Sequence, residues 1–534
     1  MGELTARAPI RARWHGSAHI RFPKVKRWER IGLIVLAAIG VEAFLFFVDY
    51  WFNVGVRRNS YLFWPLAFAV FWNPVRNLYN WWVYLWVKEP GRPPAPRFPN
   101  SIEPYGTADV LTTAMPGEPF AMFERTLAAI VAIRYPHNSF LLDGGNDPAL
   151  QALCKKLGVI HIDCRGINGA KAGKINYCLR THSEAEHVLI IDPDHIPEPD
   201  FFHRTLPYFA DSQIGFVQVV QAYYNVRESF VAWAAAEQTF GFYGPTLMGL
   251  HSMGIATAIG ANCTFRRTAL DSIGGHAEHL AEDALTSMRL HAKRWKSVYL
   301  PWRGSEGLSP ADLGAFFKQQ LKWSTGMYYL FFNEYPKLFR QLSPVGRLHY
   351  FACGTYYLCG LAATLTIWLP ILFLFLQVYA VEMPLTGFLI HIGPYALVST
   401  LIHLIVQKWY SHREEQGVPW RSMLLEKATW HIYLMSFVYS IQGKKVPYLP
   451  TPKGGGEVPV PKLVWPHWLA IILSALAIAW VPLTYHRIDD GTILMVLFAL
   501  GNIALLFPVA WLGVRGLLHK RARTQTAPTL EGAI

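Results

Sequence analysis

Cysteine is sparse and poorly placed for bonding. The six residues Cys154, Cys164, Cys178, Cys263, Cys353 and Cys359 contain no C-x-x-C and no spacing of a small secreted module. A disulfide-built extracellular domain is excluded, and free thiols in a reducing compartment are expected. Charge is scarce as well, at 16% of residues against 52% hydrophobic and 14% aromatic, with a mean hydropathy of +0.19. The apolar excess sits in long runs at both ends, around a middle of ordinary globular composition, which excludes a simple soluble chain. Acidic residues are fewer than basic ones (36 against 49, net +13), yet the basic residues crowd the flanks of the apolar runs. Cytoplasmic-side placement explains them, so no nucleic-acid partner is expected. The stretch before the first apolar run is too long and too rich in arginine for a cleaved leader, and that run is expected to stay as a span.

The chain divides by composition into a basic tail (1–30), two spans (31–87), a mixed domain (88–311), amphipathic surface helices (312–347), two more spans (348–407), an in-plane helix and loop (408–462), a last pair of spans (463–515) and a second tail (516–534). Six crossings of about 20 residues place both tails and the mixed domain on the cytoplasmic side. Glu42 and Asp49 interrupt the first span and are expected near an end or against a neighbouring helix. Lys88–Tyr105 is a proline-rich linker. Strand signals at Val110–Thr113, Ser139–Asp143 and Val159–Asp163 alternate with helical ones at Glu118–Arg134, Pro148–Leu157 and Ala170–Thr181. That alternation predicts a mostly parallel sheet covered by helices on both faces.

Val188–Ile191 reads as the central buried strand, and it ends in Asp192-Pro193-Asp194-His195. Ligands of open α/β sheets bind at the carboxyl ends of strands, and two acids at i and i+2 can share a hard cation that clamps a diphosphate. An Asx-type turn is the plainer alternative. Asp143 ends another strand ahead of two glycines, suiting either a nucleotide contact or a turn. Lys171 and Lys174 stand at a helix start where ammonium groups and free amides favour phosphate, unless they form a solvated face. Glu282-Asp283 opens a helical segment, as capping acids or as a general base. Gln319, Lys322 and Trp323 share one helix face on Leu313–Phe332, a segment whose aromatic and basic mixture also suits the membrane surface.

In this order and between membrane spans, these motifs resemble processive family 2 glycosyltransferases, above all bacterial cellulose synthase catalytic subunits and related β-glucan (curdlan-type) synthases, over roughly residues 105–460. The resemblance implies an α/β GT-A (Rossmann-like) cytoplasmic domain inserted in an α-helical transmembrane bundle. It also implies an inverting mechanism with a UDP-sugar, UDP-glucose first, and Mg²⁺ or Mn²⁺. By that likeness Asp143, Lys171, Asp192, Gln319 and Lys322 bind the nucleotide sugar, Asp192 and Asp194 the metal, and Asp283 is the base. Trp323, Glu282, His195, Gln218 and Gln221 attend the acceptor, and Tyr448, Thr451 and Lys453 belong to a gating loop. The chain departs from the family pattern in having Gly144 after Asp143, Ala281 before Glu282, Lys322 where arginine is usual, and Tyr448 and Pro450 in place of phenylalanine and valine. The short tail leaves no room for a cyclic-di-GMP-binding β-barrel. Expected partners are the growing polysaccharide, the lipid bilayer of a bacterial inner membrane and accessory export subunits. A single-transfer glycolipid enzyme, a synthase of another β-linked polysaccharide and a non-catalytic scaffold are the alternatives.

Overall fold

The computed structural model describes residues 25–54, 56–91, 93, 95–411, 415–444, 460–485 and 487–525. Seven strands make the central sheet: β1 (Ala108–Ala114), β2 (Asn138–Asp143), β3 (Ile160–Asp163), β4 (His187–Ile190), β5 (Ile214–Val219), β6 (Cys263–Arg266) and β7 (Lys296–Leu300). Their order is β7-β5-β6-β4-β1-β2-β3, and β6 alone runs antiparallel to its neighbours. The mostly parallel sheet expected from the alternation is therefore present. Its GT-A-like character lies in the parallel half β3-β2-β1-β4 followed by the one reversed strand.

Burial on both faces explains why β4 reads as an unbroken apolar run. Leu189 packs with Phe123, Leu127 and Leu141 on one side, while Val188 and Ile190 pack with Ile175, Phe216 and Phe265 on the other. The period of two in a strand splits its side chains between the two cores, and neither face is left for polar residues. Helix boundaries follow local rules. Asp147 caps the helix Pro148–Leu157 by accepting from Ala149 N at 2.8 Å, and Gly158 ends it in the left-handed conformation. The helix Ala170–Thr181 has the limits expected, and the helix expected at Glu118–Arg134 is confined to Phe120–Val131 behind Pro119.

Among the described residues, five helices are long and apolar enough to cross a membrane: Arg27–Asn53, Pro344–Leu376, Leu385–Trp409, Pro461–Thr484 and Asp490–Arg515. The second expected span is helical over Ser60–Tyr84 but lacks their hydropathy. Its polar residues have partners: Asn77 donates to Tyr395 Oη (3.0 Å) and Ser399 Oγ (3.2 Å), and Arg76 donates to Ala352 O (2.9 Å). Three short connections meet at the end remote from the sheet. Val56–Arg57 pairs antiparallel with Val381–Glu382, Arg58 is bonded to Glu382, and Leu385 N donates to Asp490 at 3.1 Å. Arg58, which stands against the positive-inside trend, thus has its charge offset by Glu382. Glu42 differs from expectation: it faces outward in mid-helix, whereas Asp49 accepts from Asn53 near the end.

Leu313–Tyr329 is an α-helix whose Phe316, Phe317, Gln320, Ser324 and Tyr328 are buried, packed against Trp430–Ile441, while Tyr329 and the following Phe332 are exposed. One face of the expected surface helix therefore serves an interior contact, which sequence periodicity cannot tell from a membrane contact. The two-helix hairpin geometry gives a testable orientation. In sealed membrane vesicles, Glu382→Cys and Gln151→Cys should label with an impermeant maleimide from opposite sides; labelling from the same side would contradict the hairpin order.

Candidate active site

Ile191 N donates to Leu111 O at 3.0 Å, so the chain keeps its strand path one residue past β4. It then turns: His195 N donates to Asp192 O at 3.0 Å, and Thr126 Oγ1 holds Pro193 O at 2.8 Å. The turn is closed by this backbone bond and not by the Asp192 side chain of an Asx-type turn, so the carboxylate is left to face outward. Asp192 keeps a third of its side chain exposed and accepts from Lys171 Nζ, which donates to Gly260 O as well. Asp194 is buried, accepting from His195 Nδ1 at 3.2 Å and from Leu308 N at 3.2 Å. With the proton on Nδ1, His195 Nε2 accepts from Gln221 Nε2 at 2.7 Å, and Gln221 Oε1 accepts from Asn262 Nδ2 at 3.3 Å. Ligand atoms of Asp192, Asp194 and His195 all lie within 4.8 Å of one another. Two carboxylates so close fit a hard divalent cation, with the histidine bracing the second acid.

Glu282 and Asp283 open the helix Glu282–Ala292, with Asp283 Oδ1 accepting from Ala284 N at 2.8 Å. Burial, reinforced by the negative charge of Glu282, pushes the Asp283 carboxyl up to about 7; Lys322 and Lys171 pull the other way. A carboxyl poised near neutrality is what a general base requires. Gly260, at φ +85°, lies against it, and a Cβ there would sit 3.3 Å from Asp283 Oδ2. The approach of Gly260 lets Lys171 touch its carbonyl, so the donor lysine and the base flank a single residue.

A cavity of about 510 Å³ joins these groups. Lys171, Asp192, Asp194, His195, Gln221, Glu282 and Asp283 line it, and from the helix Leu313–Tyr329 come Gln319, Lys322 and Trp323. Two expected residues stand apart. Gln218 is fully buried: its Nε2 donates to the carbonyls of Val219 and Ala261 (both 2.8 Å), and its Oε1 accepts from Ile259 N at 3.1 Å. It stitches the crossing of β5 and β6 and does not reach the cavity; Gln221, beyond the strand end, does. Asp143 is also buried, receiving Gly145 N (2.8 Å), Asp147 N (2.7 Å) and His161 Nε2 (3.0 Å), so its carboxylate is spent on the turn after β2 and lies outside the cavity lining. Lys174 is likewise internal, donating to Ala114 O at 2.8 Å. Tyr448, Thr451 and Lys453 lie outside the described residues.

The cavity has a second wall that sequence reading missed. Arg76, Tyr79 and Tyr84 of the helix Ser60–Tyr84 line it, together with Tyr350, Tyr356 and Tyr357 near the start of the Pro344–Leu376 segment. The signal was the cluster of polar and tyrosine residues inside an otherwise apolar helix, which marks a face turned to a cavity.

Known proteins resemble this chain in sequence and in fold. Residues 187–406 match the model of "Glycosyl transferase family group 2". The cellulose synthase catalytic subunit [UDP-forming] of Komagataeibacter sucrofermentans is 28% identical over 295 residues, 53% of this chain and 39% of that protein. The corresponding subunit of Xanthomonas axonopodis pv. citri is 26% identical over 347 residues, 63% of this chain and 47% of that protein. The chain thus spans less than half the length of these curated relatives. Among solved structures, a mannosyltransferase from Pyrobaculum calidifontis in complex with GDP-Man and Mn²⁺ aligns with TM-score 0.48 at 15% identity, covering 72% of this chain and 100% of that one.

The raised Asp283 acid has a sign that can be checked without activity. Its folded form holds the proton more tightly than the unfolded chain, so its contribution to stability is present below the ordinary carboxyl range and is lost as pH rises to about 7. Asp283→Asn should therefore melt higher than the parent protein above pH 7, and the gap should close on acidification towards pH 4.

Proposed function

Because residues 187–406 match the group 2 glycosyltransferase model and cellulose synthase catalytic subunits are similar over about half of the chain, we propose that it is a processive, inverting membrane enzyme. It polymerises a β-linked glucan from UDP-glucose and passes the polymer through its own helices. The observation that carries the reading is the continuity of one cavity from the acids at the end of β4 to the tyrosines of the apolar helices. A polymerase needs its acceptor end held beside the helices that pass the chain on, and this chamber borders such helices.

Asp283 takes the proton from the acceptor hydroxyl as that oxygen bonds to C1 of the donor sugar, and the bond from C1 to the diphosphate breaks with UDP leaving. Lys322 and Lys171 face the departing charge across the cavity, and Gln319 supplies an amide to it. Asp192 and Asp194 would hold Mg²⁺ or Mn²⁺, which when bound supplies positive charge to the diphosphate. His195, fixed between Asp194 and Gln221, and the buried Glu282 border the acceptor side. Trp323, packed against Tyr328, Tyr357 and Tyr433, offers an aromatic face to the terminal sugar. Asp143, outside the cavity, takes no part in this reading, and Tyr448, Thr451 and Lys453 serve as the loop that gates the bound nucleotide. The bacterial inner membrane, with the catalytic domain cytoplasmic and accessory export subunits as partners, completes the reading.

Purified protein in nanodiscs, given a panel of radiolabelled UDP-sugars and then linkage-specific glucanases, tests the function. Glucose-derived polymer sensitive to a β-glucanase is expected; transfer of single sugars to lipid would overturn it. Chelation with EDTA should abolish transfer and added Mg²⁺ or Mn²⁺ should restore it, with full activity in chelator counting against the acid pair as a metal site.

Loss of an aromatic stacking face is worth about 1–3 kcal/mol, taking base stacking as a proxy. Trp323→Ala should accordingly shorten the polymer severely while leaving UDP affinity nearly unchanged. Unchanged product length per correctly inserted molecule would remove Trp323 from the acceptor site.

A further inference from the structure

The base is delivered by a loop, residues 274–281, whose position is not set by its own contacts alone. Asn176, on the helix Ala170–Thr181 that also carries Lys171, grips that loop from both directions. Its Nδ2 donates to His276 O at 2.8 Å, and its Oδ1 accepts from His276 N at 2.7 Å. Both residues are buried, Asn176 at 5% exposure and His276 at 4%, so no water replaces either bond. Gly275, at φ +100°, makes the approach possible: a Cβ there would stand 2.5 Å from Asn176 Oδ1. From His276 the grip passes directly to the base helix. Ala277 N donates to Thr286 Oγ1 at 2.9 Å, Thr286 Oγ1 donates to Glu282 O at 2.6 Å, and Ser287 Oγ donates to Asp283 O at 2.8 Å.

We propose that Asn176 is a positioning residue for the transfer step, clamping the loop that leads into the Asp283 helix to the helix that carries Lys171. The inference rests on the glycosyltransferase reading and deepens it. One helix of twelve residues then sets two ends of the reaction at once: Lys171 at its first turn touches Asp192 and Gly260, and Asn176 further along fixes the segment leading to the base. Asn176 touches neither donor nor acceptor, and it lies outside the cavity lining. Its effect is on the distance and direction from which Asp283 meets the acceptor hydroxyl, where a displacement of about an ångström is enough to cost about 10²-fold in rate.

The test uses the full-length protein in nanodiscs with UDP-glucose. Asn176→Asp keeps the shape and the bond accepted from His276 N but sets an anion against His276 O. It should lower kcat by about 10²-fold while KM for UDP-glucose stays nearly the same. Gly275→Ala, which crowds the same contact from the other side, should show the same split. Asn176→Asp with kcat per folded molecule unchanged and only its melting temperature lowered would overturn the proposal, as would a rise in KM with kcat intact. If Asn176→Asp does not accumulate, Gly275→Ala decides by the same two criteria. Should the parent protein transfer no sugar at all, the functional reading fails separately and melting still judges the clamp. The gap between parent and Asp283→Asn at pH 8 should shrink when Asn176→Asp is added to both, because a displaced Asp283 leaves its buried seat beside Glu282, Lys171 and Lys322. An unchanged gap would overturn the clamp.

Discussion

Burial of β4 on both faces is the constraint on which the rest depends. A strand sealed by two cores must end where its backbone leaves the sheet, and the first residues past that edge, Asp192 to His195, are the first that can be polar. The acids are therefore held at a fixed point by apolar packing several residues behind them. Rigid support of this kind keeps two carboxylates close in spite of their repulsion, with Lys171 against one and His195 against the other. The flanking strand β6 runs backwards beside β4 and brings Gly260 and Asn262 to the same edge, so that the second half of the domain is aimed at the acids as well.

Electrostatic opposition then separates the roles of the carboxylates. Asp192 faces an ammonium group, and Asp194 receives donors from His195 and Leu308. Asp283 has a single backbone donor, an acidic neighbour and a buried setting, which together raise its proton affinity. Similar carboxylates in one cavity thus stand in different surroundings, the division that the proposed metal and base roles require.

The helical half contributes to the same chamber. Arg76, Asn77 and Tyr79 would be costly in a lipid-facing helix, and each finds a partner in the interior: Ala352 O, the hydroxyls of Tyr395 and Ser399, and His349. The long helices and the cavity are therefore not separate features of the fold. The helix Ser60–Tyr84, which falls short of the hydropathy of the five long apolar helices, lines the chamber together with the start of Pro344–Leu376.

The sequence by itself determined what depends on neighbours along the chain. The apolar run of β4, the acids at its end, the limits of Ala170–Thr181, the acid pair opening the Glu282 helix and the long apolar helices all follow from period, capping and length. Tertiary structure decided what depends on groups far apart in sequence. Gln218 and Gln221 differ by three positions, yet one is consumed by carbonyls of the crossing strand and the other faces the cavity; only the register of β5 with β6 distinguishes them. Asp143 has the same strand-end position as Asp192 but lies two strands away, where its turn and His161 use both of its oxygens. Asn176 carried no catalytic signal, because its importance lies in a backbone pair one hundred residues further on. Hydrogen-bonding capacity is written into each side chain, but which groups meet it is fixed only when distant segments pack together.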